Sequence, residues 1–221
     1  MIHASKQVSA CSLTDSRLRS KPRGMIPRSL ILFVAALLTA CHTPKPAAPQ
    51  PLMPRWKVAP EFEAAEGPVR VEVSLASSTA QLLAKDGTVL AEMDVSPGVE
   101  GHPTPTGKFR VREKMPLKRS NLYGQYVKKG TEEVVVARAW EHEGAKPEGT
   151  EYLGIAMPWW MRLTDYGVGM HVGGFERGKP TSHGCIRCPE EGQRVFYEKC
   201  RVGTMVHVHE GEHVAPSLLA E

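Results

Sequence analysis

The side chains best suited to chemistry fall within one short stretch, Thr181-Ser182-His183-Gly184-Cys185-Ile186-Arg187-Cys188-Pro189, with a further histidine at His171. Two thiols three residues apart can form a redox pair, histidines and cysteines together can hold a metal, and one thiol beside an imidazole can act as a nucleophile. A reactive C-x-x-C pair opens a helix within a βαβ setting, where the helix dipole lowers the first thiol's pKa. Here the preceding chain reads as strand and turn, and helical periodicity starts only after Pro189. A zinc site would have to collect His171, His183, Cys185 and Cys188, but the His183-x-Cys185 spacing is tighter than the paired spacings of structural zinc sites. The third arrangement takes Cys185 as nucleophile and His171 as the base that accepts its proton. Gly184 lets backbone N–H groups turn toward a developing oxyanion. On these residues alone the pairing is weak evidence, since a histidine and a cysteine at this separation are often simply packed in a core.

The elements that must position these groups run from about Val69 to His209 and are mostly strands. Val69 to Leu75 alternates apolar and polar residues, the pattern of a half-buried strand. Ala80 to Ala84 and Val89 to Val95 read as a hairpin whose Asp86-Gly87 supplies the turn. Lys108 to Glu113, Val134 to Ala139, Gly167 to Val172 and Val202 to His209 are further strands. Glu190 to Cys200 is the clearest helix, with Pro189 before it, acidic residues opening it, and Val195, Phe196 and Cys200 at helical spacing. The expected fold is mainly β, a sandwich or barrel, with one or two short helices. Residues 115–150 are charged and poor in apolar positions, so they read as a solvated excursion. The functional alternative is a lid over the site, because long insertions in compact domains are often functional.

The 221-residue chain carries a formal net charge of +4, but six of its 28 basic residues and one of its 24 acidic residues fall in 1–40. The remainder is within one charge of neutrality, and nothing there argues for nucleic acid as a partner. Residues 1–40 read as a signal segment. Arg23 and Arg28 precede the apolar run Leu30 to Leu38, which is too short to span a bilayer but suits a signal core. Met25 stands where such a segment would begin, so residues 1–24 read as an over-extended start. Leu38-Thr39-Ala40-Cys41 resembles the lipobox of bacterial lipoproteins, which implies acylation of Cys41 and anchoring to a membrane in the cell envelope. Residues 41–67, rich in proline, are expected to be an unpacked tether, with the catalytic domain at 68–210 and a tail at 211–221.

Gly169-Met170-His171-Val172-Gly173-Gly174, taken with Thr181 to Arg187, resembles the signature of the L,D-transpeptidase (YkuD-type) catalytic domain, and His102 to Phe109 (HPTPTGKF) is similar to that family's second recurring stretch. The resemblance covers Val69 to His209. It implies a β-rich fold, peptidoglycan stem peptides as substrates, and neither metal nor organic cofactor. It also implies that Cys185 is the acylated nucleophile and His171 the general base, with the Val172 carbonyl orienting the imidazole. His183 and Gly184 would shape the oxyanion site, and Arg187 would support the loop or contact a substrate carboxylate. Ser182 is expected to bond backbone within the turn, and Trp159 and Trp160 to line the mouth of the cleft.

If water rather than an amine resolves the thioester, the same residues make an L,D-carboxypeptidase or a hydrolase of cross-links or anchors. A non-catalytic wall-binding lipoprotein is the reading of another class, and an intact His171, Gly184 and Cys185 argues against it. Cys185 is expected to hold its thiolate near neutral pH. Cys188 stands where the family usually has a leucine-like residue. A disulfide to Cys200 is an alternative that the expected helix length argues against, since eleven helical residues span ~16 Å and bridged Cα atoms lie within ~7 Å. Cys188 is therefore expected to be a small buried hydrophobe.

Overall fold

The computed structural model describes residues 51–220, within a compact unit that runs Pro49–Glu221. The signal segment and Cys41 lie outside the described residues. The folded chain is mainly β, two sheets and one α-helix. The strands are β1 (Trp56–Val58), β2 (Arg70–Ser74), β3 (Thr79–Leu83), β4 (Val89–Asp94), β5 (Gly107–Arg110), β6 (Glu113–Lys128), β7 (Val134–Val136), β8 (Thr150–Arg162), β9 (Gly169–Val172), β10 (Ile186–Cys188) and β11 (Met205–His209); the helix α1 is Glu190–Lys199. One sheet has the order β1-β4-β3-β2-β11-β5 and the other β10-β9-β8-β6-β7. Pairing is antiparallel except for β11 with β2 and β10 with β9.

Alternation dictates the first sheet. In β2, Val71 and Val73 are fully buried while Arg70 and Glu72 between them are only half-buried, and β11 does the same with Val206 and Val208. The hairpin between β3 and β4 turns at Asp86-Gly87, with φ 98° at Gly87 and the Asp86 carboxylate accepting the Thr88 N–H at 3.0 Å. A single apolar core joins Val71, Leu82 and Met93 of the first sheet to Met161, Met170 and Ile186 of the second. Phe196 drives α1 into the same core. Lys114 closes the helix by donating to the carbonyls of Tyr197 and Cys200, both at 2.5 Å, so orphan C-terminal acceptors are satisfied by a cation.

Three expectations change. Residues 115–150, read as a solvated loop and hairpin excursion, hold more strand than expected: β6 pairs with β8 along most of its length, and both strands escaped alternation because their faces are largely solvated. The expected tether ends earlier than residue 67, since β1 pairs with β4 and Phe62 is buried in the core. The expected tail is tied down: Ser217 Oγ and the Leu218 N–H donate to the buried carboxylate of Glu92, and Arg55 donates to the Leu219 carbonyl at 2.9 Å.

Candidate active site

Strand register carries the two central residues to one place. In the parallel pair of β9 and β10, Ile186 stands beside Met170 and Arg187 beside His171. Side chains alternate along a strand, so Cys185, one residue before β10, faces the side that Arg187 and His171 face, while Ile186 and Cys188 face the other. The burial agrees: Ile186 and Cys188 are fully buried in the apolar core. Cys185, His171, Ser182, His183 and Arg187 line one cavity of about 130 Å³. Cys188 bonds only the Ile186 carbonyl, at 3.6 Å, and burial pushes its thiol far up. The thiols of Cys185, Cys188 and Cys200 are all free. With Cys185 and Cys188 on opposite faces, neither a dithiol pair nor a zinc site using both is built here.

The imidazole of His171 is buried, and its Nδ1 lies 2.8 Å from the Val172 carbonyl. A carbonyl can only accept, so Nδ1 carries the proton and Nε2 is left as the base. Burial lowers the His171 pKa to about 4, the bond to Val172 opposing it, and Arg187 adding to the drop. Burial also raises the Cys185 thiol, with the Gly169 backbone and Arg187 pulling the other way. The thiol also makes a weak hydrogen bond to the Gly167 carbonyl at 3.8 Å. The resting pair is thus neutral thiol and neutral imidazole, not a thiolate populated near neutral pH. Low dielectric penalises the charged form of both groups.

The loop before the nucleophile is held from two sides. Ser182 Oγ donates to the Cys185 carbonyl and accepts the Gly184 N–H at 3.2 Å, so it shapes the turn. Gly184 has φ +107°, a left-handed conformation that side chains rarely adopt. The Ser182 N–H donates to the Pro97 carbonyl, and the Val99 N–H to the Ser182 carbonyl. Gly98 permits this close approach: a Cβ there would lie 2.0 Å from the His102 carbonyl oxygen and 3.0 Å from the Gly184 nitrogen. Thr104 adds to the clasp by accepting the Gly98 N–H at 2.9 Å. The HPTPTGKF stretch therefore braces the nucleophile's turn. Arg187 Nη1 reaches the Gly174 carbonyl at 3.4 Å and the Thr181 hydroxyl at 3.3 Å, tying together the ends of the loop between β9 and β10.

The other wall comes partly from the 115–150 segment read as an alternative lid, though none of its residues was singled out. Ser120, Tyr123, Trp140, Ile155 and Met157 complete the cavity, all from β6, β8 and the turn between β7 and β8. Tyr123 stacks on His183 at 4.9 Å and meets Trp140 edge-on at 5.4 Å, while His102 packs on His183 at 4.6 Å. Isolated aromatics within a charged excursion were the available signal. Trp159 and Trp160, expected at the mouth, are not in this lining. Trp160 is fully buried, 5.9 Å from the His171 ring, and packs behind the base. Trp159 takes a left-handed φ of 53°, presents its carbonyl to the Gln193 amide at 2.8 Å and packs on Tyr197. That break in β8 turns its ring toward α1.

The family model of the L,D-transpeptidase catalytic domain (YkuD) matches residues 68–208, well over half of the chain. No curated protein matches the chain. Among solved structures, it is similar to an L,D-transpeptidase (Yku) from Stackebrandtia nassauensis, at 21% identity over 66% of this chain and 57% of that one, with a TM-score of 0.47. It is similar to an L,D-transpeptidase from Mycobacterium smegmatis at 21% identity, 64% and 58% coverage and TM-score 0.47. It is likewise similar to L,D-transpeptidase 3 from Mycobacterium tuberculosis at 19% identity, 64% and 61% coverage and TM-score 0.47. The chain spans less than two thirds of the length of each of these proteins. On the match over residues 68–208, this chain belongs to the L,D-transpeptidase catalytic domain (YkuD) family.

Proposed function

We propose that the protein is a cysteine-dependent acyltransferase acting on peptidoglycan stem peptides, with Cys185 as nucleophile and His171 as general base. The observation that supports this most is the shared cavity, in which an imidazole fixed by the Val172 carbonyl and the Cys185 thiol face the same space. As substrate enters, the Cys185 S–H proton moves to Nε2 of His171 and sulfur attacks the carbonyl of the L,D peptide bond ahead of a terminal D-alanine. The C–N bond breaks, D-alanine leaves with the proton from the imidazolium, and a thioester remains. An acceptor amine then attacks the thioester, gives up a proton to His171, and the new amide releases the thiol. Backbone N–H groups of the Ser182–Cys185 turn are the candidates for holding the oxyanion.

The test is incubation of the full chain with purified muropeptides, with and without an added amine, followed by mass spectrometry. Loss of D-alanine with transfer to the amine supports the reading. Loss of D-alanine with only water incorporated makes the enzyme a hydrolase, and intact muropeptides in every arm overturn the activity.

A further inference from the structure

A second hollow, of about 570 Å³, shares no residue with the Cys185 cavity. It is walled by the start of β2, the turn between β3 and β4, the end of β5, and the connection from α1 into β11. Five cations converge on it from these elements, Arg70, Lys85, Arg110, Lys199 and Arg201, and no acidic residue lines it. Its floor is aliphatic, made by Val69, Ala84 and Met205.

Three of the cations are held in place by backbone. Arg70 Nη1 donates to the Ala84 carbonyl at 3.0 Å, Arg110 Nη1 to the Gly203 carbonyl at 2.9 Å, and Lys199 Nζ to the Ala65 carbonyl at 3.3 Å. Each arginine thus commits one corner of its guanidinium and keeps further N–H donors free for a ligand, except that Arg70 Nε also lies 3.4 Å from Glu72. Lys85, Arg110, Lys199 and Arg201 make no ion pair with a carboxylate among the described residues. Five like charges around one concavity repel one another, and nothing in the packing of the core calls for them there. A bound anion removes that repulsion. Guanidinium groups suit a phosphoryl group, whose oxygens accept paired N–H bonds. The volume lies in the ~300–1,000 Å³ range of small-molecule sites. Glu61, Glu66 and Asp86 line a neighbouring hollow that shares Ala84 and Lys85 with this one, and the Asp86 carboxylate feels the Arg70 charge.

We propose that this hollow is a binding site for a phosphate-bearing ligand, its phosphoryl oxygens among Arg70, Arg110 and Arg201 and its remainder on the aliphatic floor. The phosphate could belong to a soluble ester or to an anionic lipid headgroup, and two probes separate these. The full chain is titrated with inorganic pyrophosphate by calorimetry, and its retention is compared on vesicles of phosphatidylglycerol and of phosphatidylcholine. The test variant is Lys85→Glu with Arg201→Glu, two exposed side chains that make no bond to the rest of the fold. The charge-matched control is Lys57→Glu with Arg194→Glu, two exposed side chains on β1 and α1. We expect pyrophosphate to bind, more weakly as salt rises, and the test variant to lose at least ~10-fold in affinity while the control and the acylation of Cys185 are unchanged. Pyrophosphate binding without a difference between vesicles assigns a soluble phosphate; a preference for phosphatidylglycerol lost in the test variant alone assigns the headgroup. Binding of neither probe, or equal loss in the test and control variants, overturns the site. Because acylation of Cys185 is read separately, this result stands or falls independently of the proposed catalysis.

Discussion

Two thiols three residues apart differ here because successive side chains of a strand turn to opposite faces. Cys185 faces the cavity with His171, and Cys188 lies fully buried among Met170, Ile186 and Phe196 of the core. A carbapenem is expected to acylate the full chain once. The adduct should vanish in Cys185→Ser, persist in Cys188→Ala, and form about 100-fold more slowly in His171→Ala, all read by intact-protein mass spectrometry. An adduct lost in a folded Cys188→Ala would mean the thiols act together. The pH dependence follows from burial. With His171 lowered to about 4, the base stays neutral well below pH 6.5, so the acid limb of the acylation rate should fall nearer pH 4. The same shift costs stability: the unfolded imidazole binds a proton as pH drops below about 6.5, whereas the folded one resists until about 4. Stability should therefore decline across that window and level off below it, by about 3 kcal/mol in all. Thermal melts from pH 7 to 4 check this, and His171→Gln should flatten the decline. Cys185 and His171 could be singled out in sequence because the stretches around them, Gly169 to Gly174 and Thr181 to Arg187, resemble the family signature; on residue types alone their pairing was weak. Their charge state was not legible, because burial is a property of the fold.

At the scale of elements, β2, β5 and β11 were readable because their burial alternates, α1 because its apolar positions repeat at helical spacing, and β3 and β4, buried on both faces, because Asp86-Gly87 marks the turn between them. β6 and β8 were not. They pair mainly with each other, expose Leu117, Leu122 and Ile155, and include Pro116 and Pro158, so neither pattern nor propensity marks them. β10 has three residues, too few for a period. β6 and β8 supply much of the cavity's other wall, Tyr123, Ile155 and Met157 among its residues, with Trp140 from the turn between β7 and β8. At about 130 Å³ the cavity is smaller than the ~300–1,000 Å³ of ordinary ligand sites, and we propose that this wall shifts when a stem peptide binds. Amide exchange is expected to be fast at 129–149, where few backbone groups are paired, and slow in β6 and β8. A bound stem peptide should slow the 129–149 amides; protection there in the free protein would argue against opening. The brace at Gly98 gives a sharper test. Gly98→Ala would push a methyl against the His102 carbonyl and displace the nucleophile's turn, so acylation should drop at least ~10-fold, with melting only modestly lowered. Unchanged acylation would show that the HPTPTGKF stretch does not hold Cys185 in place.

Across the whole molecule, the folded unit reaches back to Arg55 and forward to Leu219, joined where Arg55 bonds both Asp94 and the Leu219 carbonyl. Residues on either side of the family domain thus belong to the fold, which composition did not disclose because Pro60 and the acidic residues around it read as linker. We propose that the chain before this unit anchors it to an envelope membrane through acylated Cys41, a reading carried by Leu38-Thr39-Ala40-Cys41 after a short apolar run. Metabolic labelling with a fatty-acid analogue should mark the wild type and not Cys41→Ala, and equal labelling would refute the anchor. The central claim is that one thiol carries a stem peptide as a thioester. The most direct measurement is rapid-quench intact-protein mass spectrometry of the full chain mixed with a tetrapeptide stem in the absence of acceptor amine. We expect a mass increase equal to the stem less D-alanine, located on the peptide containing Cys185 and absent from Cys185→Ser. Release of D-alanine with Cys185→Ser still active, or an adduct located on Cys188, would contradict it.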